Sequence, residues 1–203
     1  MPTPVVSNQP LMSHLTSLIG SDRFADVSIQ MADGGPPVPA HRLILCSGAC
    51  EFFHAALETA SGFDVAEQAN SGAHVTLHLP VDISRTTLLL VLRWLYTGIP
   101  PNEPLEKRPD MITAAGDEVF YSCTEEASTS RIVQSLVAAD GLGIDCLRSA
   151  CEKWMCDLVD QHPDQVVEVL LYGENLHCPT LVRYCHRVLR AQYGAWRRCH
   201  RHC

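Results

Sequence analysis

The chain is poor in positive charge: 15 lysines and arginines stand against 23 aspartates and glutamates, for a formal net charge of −8. Long apolar runs are missing too. The strongest, Leu88 to Tyr96, is interrupted by Arg93, well short of the roughly 20 apolar residues a bilayer requires. MPTPVVSNQP at the amino terminus has neither the basic patch nor the apolar stretch of a signal peptide. A cytoplasmic or nuclear location is therefore expected. None of the ten cysteines sits in a C-x-x-C spacing, which removes the usual zinc and redox signatures. Cys146, Cys151 and Cys156 lie five apart, so on a helix they step around its surface and cannot share one ion. Reduced thiols packed as small hydrophobes are expected. No G-x-S-x-G elbow is present, and Asp33-Gly34-Gly35-Pro36-Pro37 lacks the spacing and the lysine of a phosphate loop. Glu125-Glu126 falls in a polar, loop-like stretch with nothing to hold paired carboxylates in place. No enzymatic constellation emerges, and no cofactor is expected.

What is present is short and regular. In FADVSIQM, Val27, Ile29 and Met31 alternate with polar residues, the pattern of a half-buried strand. The Gly-Pro turn follows, then a second short strand over residues 38–42, then a helical pattern from Leu43 with Ser47 as a candidate cap. Ahead of the first strand, residues 8–20 carry Leu11, Met12, Leu15, Leu18 and Ile19 on one apolar stripe. Asn8 is a candidate cap for that helix, Pro10 suits its first turn, and Gly20 can stop it. Residues 83–97 read as a strongly apolar core helix. Helical pairs are predicted over 131–142 with 146–159, and over 163–173 with 179–193. Val166, Val167, Leu170 and Leu171 are assigned to a core, as are Leu181, Val182, Cys185, Val188 and Leu189.

This strand–turn–strand–helix opening, with Asp26 and His41-Arg42 at their spacings, resembles the start of a BTB/POZ domain. The resemblance continues in order through Cys50–Leu57, the alternating Val75–Pro80, Leu88–Gly98 with its Tyr-Thr-Gly ending, Ser135–Ile144 and Cys146–Glu152. It covers residues 24–160, less one insertion at about 99–130, read as a mobile loop because it is polar, Pro-rich and Ser/Thr-rich. It implies an α+β fold: a small, mainly three-stranded sheet flanked by helical hairpins. Residues 1–23 then form a dimerisation segment. The pair at 161–193 resembles the 3-box, or truncated BACK, extension of ubiquitin-ligase adaptors, and 194–203 is a basic tail.

The same resemblance implies roles for residues. The stripe Leu11, Met12, Leu15, Leu18 and Ile19 would pack on a second protomer, with Asp26 and Arg42 in a charged pocket beside that interface. Cullin contacts would come from Phe53, Leu57 and the Val65-Ala66-Glu67 motif. Burying an unpaired carboxylate costs several kcal/mol, so Asp26 is expected to be paired or hydrogen-bonded in any case. His41 is read as a buried, hydrogen-bonded histidine. The expected partners are a second copy, a cullin-type ligase scaffold and an unidentified client, with no membrane contact. The alternative is a BTB scaffold or corepressor recruiter without ligase function. A thiol enzyme is the third reading, weakened by the lack of a positioned base.

Charge is distributed unevenly. No acidic residue follows Glu174, while that segment holds six arginines and four histidines. The remainder carries nine basic and 23 acidic residues, or −14. Direct nucleic-acid binding is not expected, because no aromatic-interleaved platform accompanies the basic end. In CHRHC, residues 199–203, Cys199, His202 and Cys203 would share a helix face as zinc ligands. A fourth ligand is not evident, and a solvated tail is the favoured reading.

Overall fold

The computed structural model describes residues 9–32, 34–47, 50–59, 74–104 and 121–199. Among these the architecture is α+β, with three strands and eight α-helices. Helix α1 (Gln9–Leu18) leads into β1 (Val27–Gln30), β2 (Val38–Ala40), α2 (Arg42–Ser47), α3 (Glu51–Thr59) and β3 (Val75–His78). Helices α4 (Arg85–Thr97), α5 (Glu125–Gly141) and α6 (Asp145–Gln161) complete the body. A 3₁₀ turn at Pro163–Gln165 then opens the pair α7 (Val166–Asn175) and α8 (Pro179–Cys199).

The sheet is mixed, in the order β2-β1-β3. β1 pairs antiparallel with β2, Val27 opposite Ala40, and parallel with β3, Val27 opposite Val75. Alternation does what the sequence requires of it: Val27, Ile29 and Met31 all point inward and are buried. Helix α4 is the core's spine. Leu88, Leu89, Leu90, Val91 and Leu92 are all buried, so this helix is covered all round. Ser84 caps it, its Oγ accepting the Thr87 N–H at 3.1 Å, an interaction worth about 1 kcal/mol. Gly98 ends it in the left-handed region at φ 68°, its N–H donating to the Trp94 carbonyl at 2.8 Å. Trp94 meets Trp154 edge-on at 5.9 Å, tying α4 to α6. Gly141 closes α5 where a Cβ would run into the side chain of Val81.

Local expectations shift in three places. Ser47 does not begin a helix. It is the last residue of α2, its Oγ donating to the Ile44 carbonyl at 3.0 Å. α5 starts six residues earlier than its apolar pattern indicates, because Thr124 caps it by accepting the Ala127 N–H at 3.3 Å. Residues 125–130, read as insertion, are therefore its first turns. α8 runs on to Cys199, through residues read as tail. Asn8 and residues 200–203 lie outside the described residues.

The rest of the insertion's described portion is moored by two buried arginines. Arg131 donates from Nε to the Pro101 carbonyl at 3.0 Å, and from its two terminal nitrogens to Ser122 at 2.8 Å and Asn102 at 2.5 Å. Arg93 donates to the carbonyls of Pro100, Glu103 and Pro104 at 2.7 to 2.8 Å. The planar guanidinium suits this: its donors fan out rigidly toward several acceptors. Burial pushes the Arg131 guanidinium below its ordinary pKa, the expected cost of desolvating a cation. Residues 125–130 are helical, and 100–104 and Ser122 accept hydrogen bonds from these two side chains.

Candidate interaction surfaces

Helix α1 lies against α4 of its own chain. Its stripe is graded along its length. Ile19, just past the helix, is 6% exposed in the core, and Leu18 packs beside it. Met12 and Leu15 are half-buried, and Leu11 is 60% exposed. Ile19 is thus spent on the chain's own interior rather than held out to a partner, and only the leading end of the stripe is open. Phe24 is exposed as well. Its ring is 75% exposed, with the Arg23 guanidinium 5.0 Å from its centroid and its backbone at φ 62°. A left-handed aromatic residue is an uncommon conformation.

Asp26 and Arg42 meet through the backbone. The Asp26 carboxylate accepts the Arg42 N–H at 2.7 Å, at the first turn of α2, where a carboxylate satisfies an otherwise unpaired donor and complements the helix dipole. The Arg42 guanidinium turns away and donates to the Leu57 carbonyl at 2.5 Å, in the last turn of α3, the end where a cation is favoured. The two residues stitch β1, α2 and α3 together. His41 is buried as expected. Its Nε2 faces the Arg23 carbonyl at 2.8 Å, so it carries the proton, and its Nδ1 accepts from the Tyr96 hydroxyl at 2.7 Å. The same hydroxyl accepts the His41 backbone N–H at 3.0 Å. Burial pushes the Tyr96 phenol well above its ordinary range.

The residues tied to cullin contact fare differently. Phe53 and Leu57 are fully buried in α3, so they build the core and offer a partner no surface. On α3 the exposed positions are Glu51, His54 and Ala55. Val65 and Glu67 lie outside the described residues.

Sequence periodicity missed one surface. Val166 is buried, but Val167 and Leu171 are 56% and 55% exposed, a pair at i, i+4 on the outer face of α7. The apolar run VVEVLLY is longer than one face needs, and that excess was the available signal. Leu181 and Cys185 are buried, and Val182, Val188 and Leu189 are half-buried, as expected for α8. On another face of α7, a cleft of ≈ 840 Å³ opens between α5 and α7. Glu126, Thr129, Val133, Gln134, Glu168 and Tyr172 line it.

The thiols of this region are chemically quiet. Burial pushes Cys151 up to about 12 and Cys156 to about 11. It also raises Cys50, Cys178 and Cys185. A neutral thiol is a poor nucleophile, which counts against the thiol-enzyme reading for these five. Among the described residues, no group of three or more histidine, cysteine or acidic side chains converges on a metal position. Among them, too, no helix is long and apolar enough to cross a membrane.

No family model matches the chain. A BTB/POZ domain-containing protein of Arabidopsis thaliana is 28% identical to it over 133 residues, which is 66% of this chain and 44% of that protein. The chain thus spans under half the length of that curated relative. Together with the α+β body and its small mixed sheet, this distant, partial similarity points to the BTB family, whose domains are protein-interaction modules.

Proposed function

We propose that this chain is a homodimeric BTB adaptor that links a client to a cullin-type ubiquitin ligase. It performs no chemistry itself. It raises the effective concentration of the client at the ligase's catalytic machinery. The observation that carries the reading is the exposed Val167/Leu171 pair on the outer face of α7. An exposed apolar pair with a carboxylate and a phenol on the same helix, Glu168 and Tyr172, is the composition of a partner-binding anchor. The extension resembles the 3-box helices by which such adaptors widen their cullin contact. Dimerisation rests on Leu11, Met12 and Leu15, the open end of the α1 stripe.

The test is a pull-down with a purified cullin amino-terminal domain. Wild type should bind, and Val167→Asp/Leu171→Asp should lose at least about tenfold in affinity with its fold intact. Val65→Ala/Glu67→Ala should also weaken capture. Equal capture by all three proteins, or by none, defeats the ligase reading. The interior position of Phe53 and Leu57 favours a second reading, a BTB oligomerisation scaffold or corepressor recruiter without ligase function. A dimer by light scattering that ignores cullin is its signature.

A further inference from the structure

The outer face of α8 is a stripe of arginines. Arg183, Arg187 and Arg190 are all exposed, at i, i+4 and i+7 on one side of the helix, with His186 between them. At about 1.5 Å per residue these three span about 10 Å. Arg197 follows seven residues after Arg190 in the same helix, about 21 Å from Arg183 along its axis. Arginine alone supplies the charge: no lysine follows Lys153, and no acidic residue follows Glu174. Among the described residues, ion pairs join Arg148 to Asp140 at 2.7 Å and to Glu152 at 3.6 Å. None involves the α8 stripe.

Two of the three side chains are already oriented on the helix. Arg183 donates from Nε to the Pro179 carbonyl at 3.2 Å, leaving its terminal nitrogens outward. The Arg187 guanidinium lies 5.7 Å from the Tyr184 ring centroid, and the Tyr184 hydroxyl is itself held by the Asp160 carboxylate. Pre-oriented guanidiniums lose less entropy when they bind, and their fork fits carboxylates two oxygens at a time.

We infer that this face docks an extended acidic segment of a protein partner. Charge selects an anion, and the rest of the chain selects a short one. Up to Glu174 the protein carries nine basic and 23 acidic residues, or −14. A long duplex laid on α8 would overrun the stripe and meet that repulsion, while a peptide of six or seven extended residues covers only the arginines. The proposal does not rest on the ligase reading, which concerns α7.

The test uses the full chain and fluorescein-labelled hepta-glutamate, followed by fluorescence anisotropy at about 50 mM salt. Wild type should bind saturably, and added salt should weaken the complex. Arg183→Glu/Arg187→Glu/Arg190→Glu should bind at least about tenfold more weakly, with unchanged circular dichroism because all three sites are exposed. Arg183→Lys/Arg187→Lys/Arg190→Lys should lose a smaller factor, about threefold, because lysine keeps charge without the fork. Should the glutamate variant misfold, the matching glutamine variant replaces it. No binding by wild type, or equal binding by wild type and the charge-altered protein, overturns the inference. So does tighter binding of a DNA duplex of about 20 base pairs at matched charge, which would make the face a nucleic-acid site. Salt-sensitive self-association that vanishes in the variant, without peptide binding, would assign the face to a second copy and sink the proposal equally.

Discussion

Helices α1 and α7 both present an apolar face, yet the chain treats them in opposite ways. The α1 stripe looks in sequence like a surface kept for a partner, but its far end, Leu18 and Ile19, goes into the chain's own core. The α7 run looks like core, but Val167 and Leu171 stay outside while Val166 and Val169 go in. Periodicity tells which side of a helix is apolar. It does not tell who covers it, because cover depends on which element packs there: α4, distant in sequence, for α1, and the next helix, α8, for α7.

The sharpest way to break this contrast is Ile19→Asp. A carboxylate in that buried site should cost about 3–5 kcal/mol and lower the melting temperature steeply or leave the protein insoluble. If Ile19→Asp folds normally and merely dissociates, α1 is a partner surface along its whole length. Next comes Val166→Ala against Val167→Ala. The buried site should lose about 1–3 kcal/mol in urea unfolding and the exposed one under about 0.5 kcal/mol. Equal losses would erase the distinction between the faces of α7.

Alkaline pH sharpens the comparison in another way. The α6–α8 seam beneath α7 holds Cys151, Cys178 and Cys185, all buried and all pushed upward from 9.0, Cys151 to about 12. In the folded state these thiols stay neutral while the unfolded chain ionises near 9.0. Their contribution is therefore complete below about pH 9 and is lost as pH rises toward the folded values. Hydrogen exchange at pH 10 should show α6 and α8 loosening before β1 and α4; the reverse order would refute it. The smallest expected effect on stability is Leu11→Asp, within about 0.5 kcal/mol of wild type at a site 60% exposed. Under the dimer proposal it nevertheless separates the protomers in light scattering.

Much of the body was legible because its signals are local. The alternation of Val27, Ile29 and Met31, the five consecutive buried residues of α4 and the Tyr-Thr-Gly ending each state their own environment. What was not legible depends on long-range geometry or on chemistry that any residue can supply. Phe53 and Leu57 sit on a correctly identified helix whose rotation the sequence does not declare. Arg93 and Arg131 looked like ordinary charged positions, because their acceptors are main-chain carbonyls, indifferent to side-chain identity. EEASTS reads as loop, since its helix depends on a threonine cap and on packing rather than on an apolar stripe. The basic end reads as tail for the same reason, and α8 carries it to Cys199.

Arg131 has one consequence for how this protein tolerates change. A single guanidinium grips Asn102 on one side and Ser122 on the other, so the two ends of the excursion are pinned within one side chain's width. One side chain thus serves as two anchors, and its loss would release both stretches together.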